Sequence, residues 1–227
     1  VSAGRDLVFG NETQTKSNDV ILFADPSFEG KSATEGNALA LREIDRNAMR
    51  DLSFAPLPGT RVEATKVSSL TGRSGLTSHS YIGTKATEKA LSQITSPKIL
   101  HLATHGFFIS SEEEKKSENR WAFLNDNQFK GPISNPMHRS GLALAGAKQT
   151  LRLWKEGKSV DPDNDGILTA EEASALDLSG TWLTVLSACD TGSGIARAGE
   201  GVLGLRRAFA MAGTQNLLLT LWPVSDA

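Results

Sequence analysis

The chain has 227 residues, 39% of them hydrophobic and 22% charged, with a formal net charge of −2. That balance implies a packed core rather than disorder, and no basic field that would hold nucleic acid. A single cysteine excludes an internal disulfide framework and fits a reducing, cytoplasmic setting; no apolar run is long enough to span a bilayer, and no signal peptide opens the chain.

The first strong element is Val20-Ile21-Leu22-Phe23-Ala24, a short apolar run closed by Asp25-Pro26. It reads as a buried strand with a clear stop. Residues 27–58 form a variable connection with only a weak helical pattern over 39–49. Thr60 and Glu63 have the spacing of a capping box, which predicts a helix near 61–70 with Val62, Val67 and Leu70 facing inward. Residues 72–78 read as a turn, and Ser80-Tyr81-Ile82 as a short strand. A helix is predicted over 84–94, broken by Pro97.

Ile99-Leu100-His101-Leu102-Ala103-Thr104-His105-Gly106 is a second buried strand that ends in a histidine and a glycine. Residues 111–120 are a charge-rich solvated loop. Ser140-Gly141-Leu142-Ala143-Leu144-Ala145-Gly146 is small and apolar, a strand or close-packed segment. A helical turn is predicted near 150–156 and a turn at 161–166. Thr169 and Glu172 make another capping box, opening a short helix to Leu176. Leu183-Thr184-Val185-Leu186-Ser187-Ala188-Cys189-Asp190 starts as a strand buried on both faces and stops at the only thiol. Gly192, Gly194, Gly199 and Gly201 then open a flexible loop. Residues 201–212 are the best helix, with Val202, Leu205 and Phe209 on one face, Arg206 and Arg207 near the other, and Gly213 as its stop. Residues 216–221 are a last buried strand. Strands alternating with helices predict an α/β domain with a mostly parallel sheet.

In open α/β sheets, chemistry collects beyond the carboxyl ends of the strands. Two predicted strands deliver a reactive group there, His105 on one and Cys189 on the other. If the strands are neighbours, the imidazole can take the thiol proton, and the thiolate is a nucleophile for an amide carbonyl. Gly106 has no Cβ, so a substrate carbonyl can approach its backbone N–H; with the N–H of Cys189 it would complete an oxyanion hole. The plainer alternative is a buried structural cysteine and a core histidine.

The segments around His105 and Cys189 resemble the two signature motifs of the CHAT domain family, caspase-like proteins of the separase clan. The segments Ser140–Gly146, Asp165-Gly166-Ile167-Leu168-Thr169-Ala170-Glu171-Glu172, Gly199-Glu200-Gly201 and Leu221-Trp222-Pro223-Val224-Ser225-Asp226 follow in the family's order. The resemblance implies a caspase-like three-layer sandwich, its mostly parallel central sheet flanked by helices. It covers residues 1–227 as a single peptidase domain, expected to be a piece of a larger multidomain protein because both ends look cut. It implies a cysteine endopeptidase with His105 and Cys189 as the catalytic dyad, acting on a protein substrate without a cofactor. A flanking domain or partner such as a helical-repeat module would regulate it; no contact with nucleic acid or membrane is expected. Asp226 would receive a basic P1 side chain through a charge-assisted bond, with Asp190 and Glu200 as rival acids and Trp222 as a pocket wall. Asp226 is equally well read as a helix N-cap, and Asp190 as an anchor of the glycine-rich loop. The other reading of the family is a catalytically silent interaction or scaffold module.

Four further motifs match in part. Asp161, Asp163, Asp165, Gly166 and Glu172 fit the spacing of a calcium-binding EF-hand loop, but the capping box already explains Glu172. His101 and His105 lack the intervening glutamate and the helix of a zinc protease, so His101 reads as a satisfied core histidine. Gly192 and Gly194 lack the third glycine of a dinucleotide loop, and Ser187 lacks the glycines of a nucleophile elbow.

Overall fold

The computed structural model of the chain describes residues 17–30, 49, 52–109, 136–188 and 198–219. In chain order the elements are β1 (Asp19–Pro26), α1 (Pro58–Arg73), β2 (Thr77–Gly83), α2 (Glu88–Ser92), β3 (Ile99–Ala103), β4 (Gly106–Phe108), β5 (Ser140–Ala143), α3 (Ala147–Lys155), β6 (Ile167–Thr169), α4 (Ala170–Ser174), β7 (Leu183–Ser187), α5 (Ala198–Ala212) and β8 (Asn216–Leu219). The main sheet has the order β2-β1-β3-β7-β8, and every pair in it is parallel. A second, antiparallel sheet has the order β4-β5-β6.

The alternation of β1 divides its side chains between two cores. Ile21 and Phe23 join Leu100, Leu102 and Leu186 on one face, under Phe209 of α5 and Leu91 of α2. Val20, Leu22 and Ala24 join Ala103 on the other face, under Ala64 of α1. Helices therefore cover both faces of the sheet, the layered arrangement of a caspase-like sandwich. A third core fills the space between the second sheet and α3, with Phe28, Phe54, Phe107, Leu151, Trp154 and Ile167 buried together. Each such large side chain contributes about 1.5–3 kcal/mol through burial. Among the described residues no helix is long and apolar enough to cross a membrane.

Several expected elements change. Helix α1 starts at Pro58, and Pro is favoured in the first turn because its missing N–H has no helical partner there. Thr60 and Glu63 consequently form no capping box: the Thr60 hydroxyl donates to Leu57 O, and the Glu63 carboxylate turns to the sheet. Of the residues expected to face inward, Val67 packs against the sheet, whereas Val62 is 54% and Leu70 60% exposed. Helix α2 is shorter than 84–94, because Thr87 caps it by accepting from Ala90 N. β7 is less buried than expected, with Thr184 and Leu186 inside and Leu183, Val185 and Ser187 half-buried. β8 lies at the edge of the five-stranded sheet and is half-exposed rather than buried, with Leu218 60% exposed. Gly213 ends α5 as anticipated, at φ +104°, a left-handed conformation suited to glycine.

Candidate active site

β3 and β7 are adjacent, with Ala103 opposite Ser187 at their carboxyl ends. Thr104 continues the pairing by donating its N–H to Ser187 O at 3.2 Å. The chain then leaves the main sheet. The Thr104 hydroxyl donates to Ala143 O, and Ala143 N donates to His105 O at 2.9 Å. Gly106 pairs with Leu142, so β4 begins directly after the histidine. His105 is thus pinned at the corner where one sheet passes into the other.

The ring of His105 is 4% exposed. Phe28 and Phe54 pack against it with centroids 5.3 and 5.9 Å away. Phe28 reaches it because β1 ends irregularly: the register shifts between Ala24 and Pro26, and Asp25 adopts φ +45°. A left-handed conformation is uncommon for a non-glycine residue, although Asp tolerates it better than most. Here it is held by two bonds, from Asp25 N to Thr60 Oγ1 and from Arg61 Nε to the Asp25 carboxylate, each 2.8 Å.

Nε2 of His105 lies 2.7 Å from Ala55 O. A carbonyl has no proton to give, so Nε2–H is the donor. That fixes the tautomer of the neutral ring and leaves Nδ1 as its basic nitrogen. Successive amides along a strand point to opposite sides. The bonds to β5 run through His105 O and Ile109 N, so the Gly106 N–H is directed away from β5, toward the outer edge of its sheet.

A second polar cluster forms around Glu63 of α1. His101, 6% exposed, donates from Nε2 to Glu63 Oε1 at 2.9 Å. Ser187 donates from Oγ to Glu63 Oε2 at 3.2 Å. The Glu63 carboxyl is held below its ordinary value, chiefly by the His101 bond and in spite of desolvation. The expectation of a satisfied core histidine at position 101 is met.

The acidic loop has other uses for its carboxylates. Asp161 accepts from Asp163 N, Asp165 accepts from Ile167 N, and Glu172 completes the capping box with Thr169. Among the described residues no group of three or more His, Cys, Asp or Glu is placed to hold a metal ion. Cys189, Asp190, Trp222 and Asp226 lie outside the described residues, as do Gly192 and Gly194; of Glu200 only the helical backbone is described.

Sequence reasoning missed Ala55, Phe28, Phe54 and the pairing of Glu63. A backbone carbonyl fifty residues from its histidine leaves no mark in spacing. Glu63 was visible, but the capping-box pattern gave it another explanation.

The CHAT domain family's sequence profile matches residues 2–227. Among curated proteins, mouse tetratricopeptide repeat protein 28 is 29% identical over 210 residues, which cover 89% of this chain and 8% of that protein. The human protein of the same name is 28% identical over 182 residues, covering 77% of this chain and 7% of its own length. The chain thus spans less than a tenth of these relatives. No solved structure matches it.

Proposed function

The chain belongs to the CHAT domain family, and on that footing we propose that it is a cysteine endopeptidase with His105 and Cys189 as its dyad. The observation that carries this reading is the pairing of Ala103 with Ser187 in adjacent parallel strands. Each of these residues stands two positions before a member of the dyad.

In this reading Nδ1 of His105 takes the thiol proton of Cys189, and the thiolate attacks the substrate's amide carbon. The carbonyl oxygen becomes an oxyanion, which accepts hydrogen bonds from the amides of Gly106 and Cys189. The imidazolium returns its proton to the leaving amine, and the carbon–nitrogen bond breaks. A water, deprotonated by the same ring, then hydrolyses the thioester and releases the acid. The Ala55 carbonyl supports the charged ring through both half-reactions, because it accepts from Nε2–H in the neutral and the protonated state alike.

The substrate is a protein partner. Cleavage after a basic residue, with Asp226 receiving the side chain and Asp190 and Trp222 beside it, is the specificity that the family resemblance supports. The repeat named in the curated relatives supports regulation by a helical-repeat module.

A panel of fluorogenic peptides varied at P1 tests the reading. The intact chain should cleave those with Arg or Lys, and Cys189→Ala should not. Equal turnover by the two proteins overturns it, and absence of turnover by both on a physiological substrate set supports the silent scaffold module instead. Comparing cleaved proteins in cells with the intact enzyme and with Cys189→Ala would name the substrate.

A further inference from the structure

We propose that Glu63 is a positioning residue, fastening to each other the two strands that carry His105 and Cys189 and tying both to α1. The inference rests on the dyad reading above.

The two oxygens of one carboxylate divide between the two strands. Oε1 takes the bond from His101 on β3, and Oε2 takes the bond from Ser187 on β7. His101 stands four residues before His105, and Ser187 two residues before Cys189. Both donors reach the same face because His101 is opposite Val185, and Ser187 is the next residue of β7 on Val185's side. A slip of either strand by one residue moves its side chains about 3.3 Å and turns them to the other face, so neither bond would survive it.

The same stretch of chain holds the rest of the corner. Three residues before α1, Ala55 O receives Nε2 of His105. In the first turn of α1, Thr60 and Arg61 bond the end of β1 through Asp25. Residues 55–63 therefore bond the carboxyl ends of β1 and β7, the middle of β3 and the dyad histidine itself. A bond that served stability alone could join these strands anywhere along their length. This one meets β7 at its last residue, two before Cys189, and β3 four residues before His105, and a small error in the spacing of a dyad is costly to proton transfer.

The chain has one cysteine, so alkylation by iodoacetamide reads a single thiol. Its rate across pH reports the fraction of thiolate, and so the hydrogen bonding and charge that His105 offers. In the intact chain the midpoint should fall below about 8.5, the value of an ordinary thiol, and His105→Ala should raise it. Glu63→Ala should raise it in the same direction, by about one unit, which is a tenfold loss of thiolate near neutral pH. Glu63→Gln keeps an acceptor for His101 and should recover most of the loss. Ser187→Ala, which removes one donor with little change of volume, should give a smaller rise, and none when added to Glu63→Ala.

A lowered melting temperature in Glu63→Ala with the midpoint of the intact chain would overturn the positioning role. If Glu63→Ala does not fold, Ser187→Ala decides on the same readout. An unchanged midpoint in His105→Ala would instead refute the dyad reading, whatever Glu63 does.

Discussion

The rings of Phe54 and His105 lie 28° from parallel with their centroids 5.9 Å apart, so the face of the imidazole is covered by a side chain that is itself only 1% exposed. Phe54 also meets Phe28 and Phe107, which places it at the centre of the wall behind the histidine. Phe54→Ala should cost about 3–5 kcal/mol, the usual range for emptying a buried aromatic site. Phe54→Leu should cost less than half as much. Urea unfolding followed by tryptophan fluorescence checks both, and equal losses would mean that the ring's shape is irrelevant there.

Gly141 sits where β5 passes between β4 and β6. A Cβ at this position would overlap Leu168 O, a backbone atom, and approach Phe107 Cζ to 2.6 Å. Backbone held by two ladders cannot step aside cheaply. Gly141→Ala should therefore destabilise by about 3 kcal/mol, at the upper end of overpacking effects. Thermal unfolding is the measurement, and a loss near that of an exposed helix substitution would contradict it.

Glu63 carries a pH dependence whose sign follows from its partners. The His101 bond holds its folded pKa below the ordinary value of 4.5, so the carboxylate stabilises the fold fully above that value. The contribution is lost as pH falls through the lowered folded pKa. The stability difference between the intact chain and Glu63→Gln should shrink as pH falls below about 4.5. A difference that grew on acidification would show that the carboxyl is not held in its charged form.

The box at the start of α4 is closed by both partners, with Thr169 Oγ1 accepting from Glu172 N and Glu172 accepting from Thr169 N. Thr169→Ala should cost about 1 kcal/mol. Calcium should leave the melting temperature of the intact chain where it was, because the Asp161, Asp165 and Glu172 carboxylates are already bonded to local backbone. A rise with calcium that Asp163→Asn abolishes would restore the metal-loop interpretation.

Periodicity and turn chemistry were sufficient for the α/β alternation, for the strands at β1, β3 and β7, for the Thr169 cap and for the Gly213 stop, because each depends on residues within a few positions of one another. The three-residue strands β4 and β6 were too short to leave a period, and they exist only because β5 lies between them. Position 63 shows the limit most plainly. Its distance from Thr60 matched a capping box, yet Pro58 had already started the helix and the carboxylate was drawn to a buried histidine and a serine instead.

His105 could be picked out as a candidate base from the residues that precede and follow it. Which of its nitrogens is basic could not, for that depends on a carbonyl at position 55 brought to within 2.7 Å by the packing of Phe28 and Phe54. Local pattern records what neighbours along the chain do to each other; strand order, tautomer and the partners of a buried charge are set by groups that meet only when the chain has closed on itself.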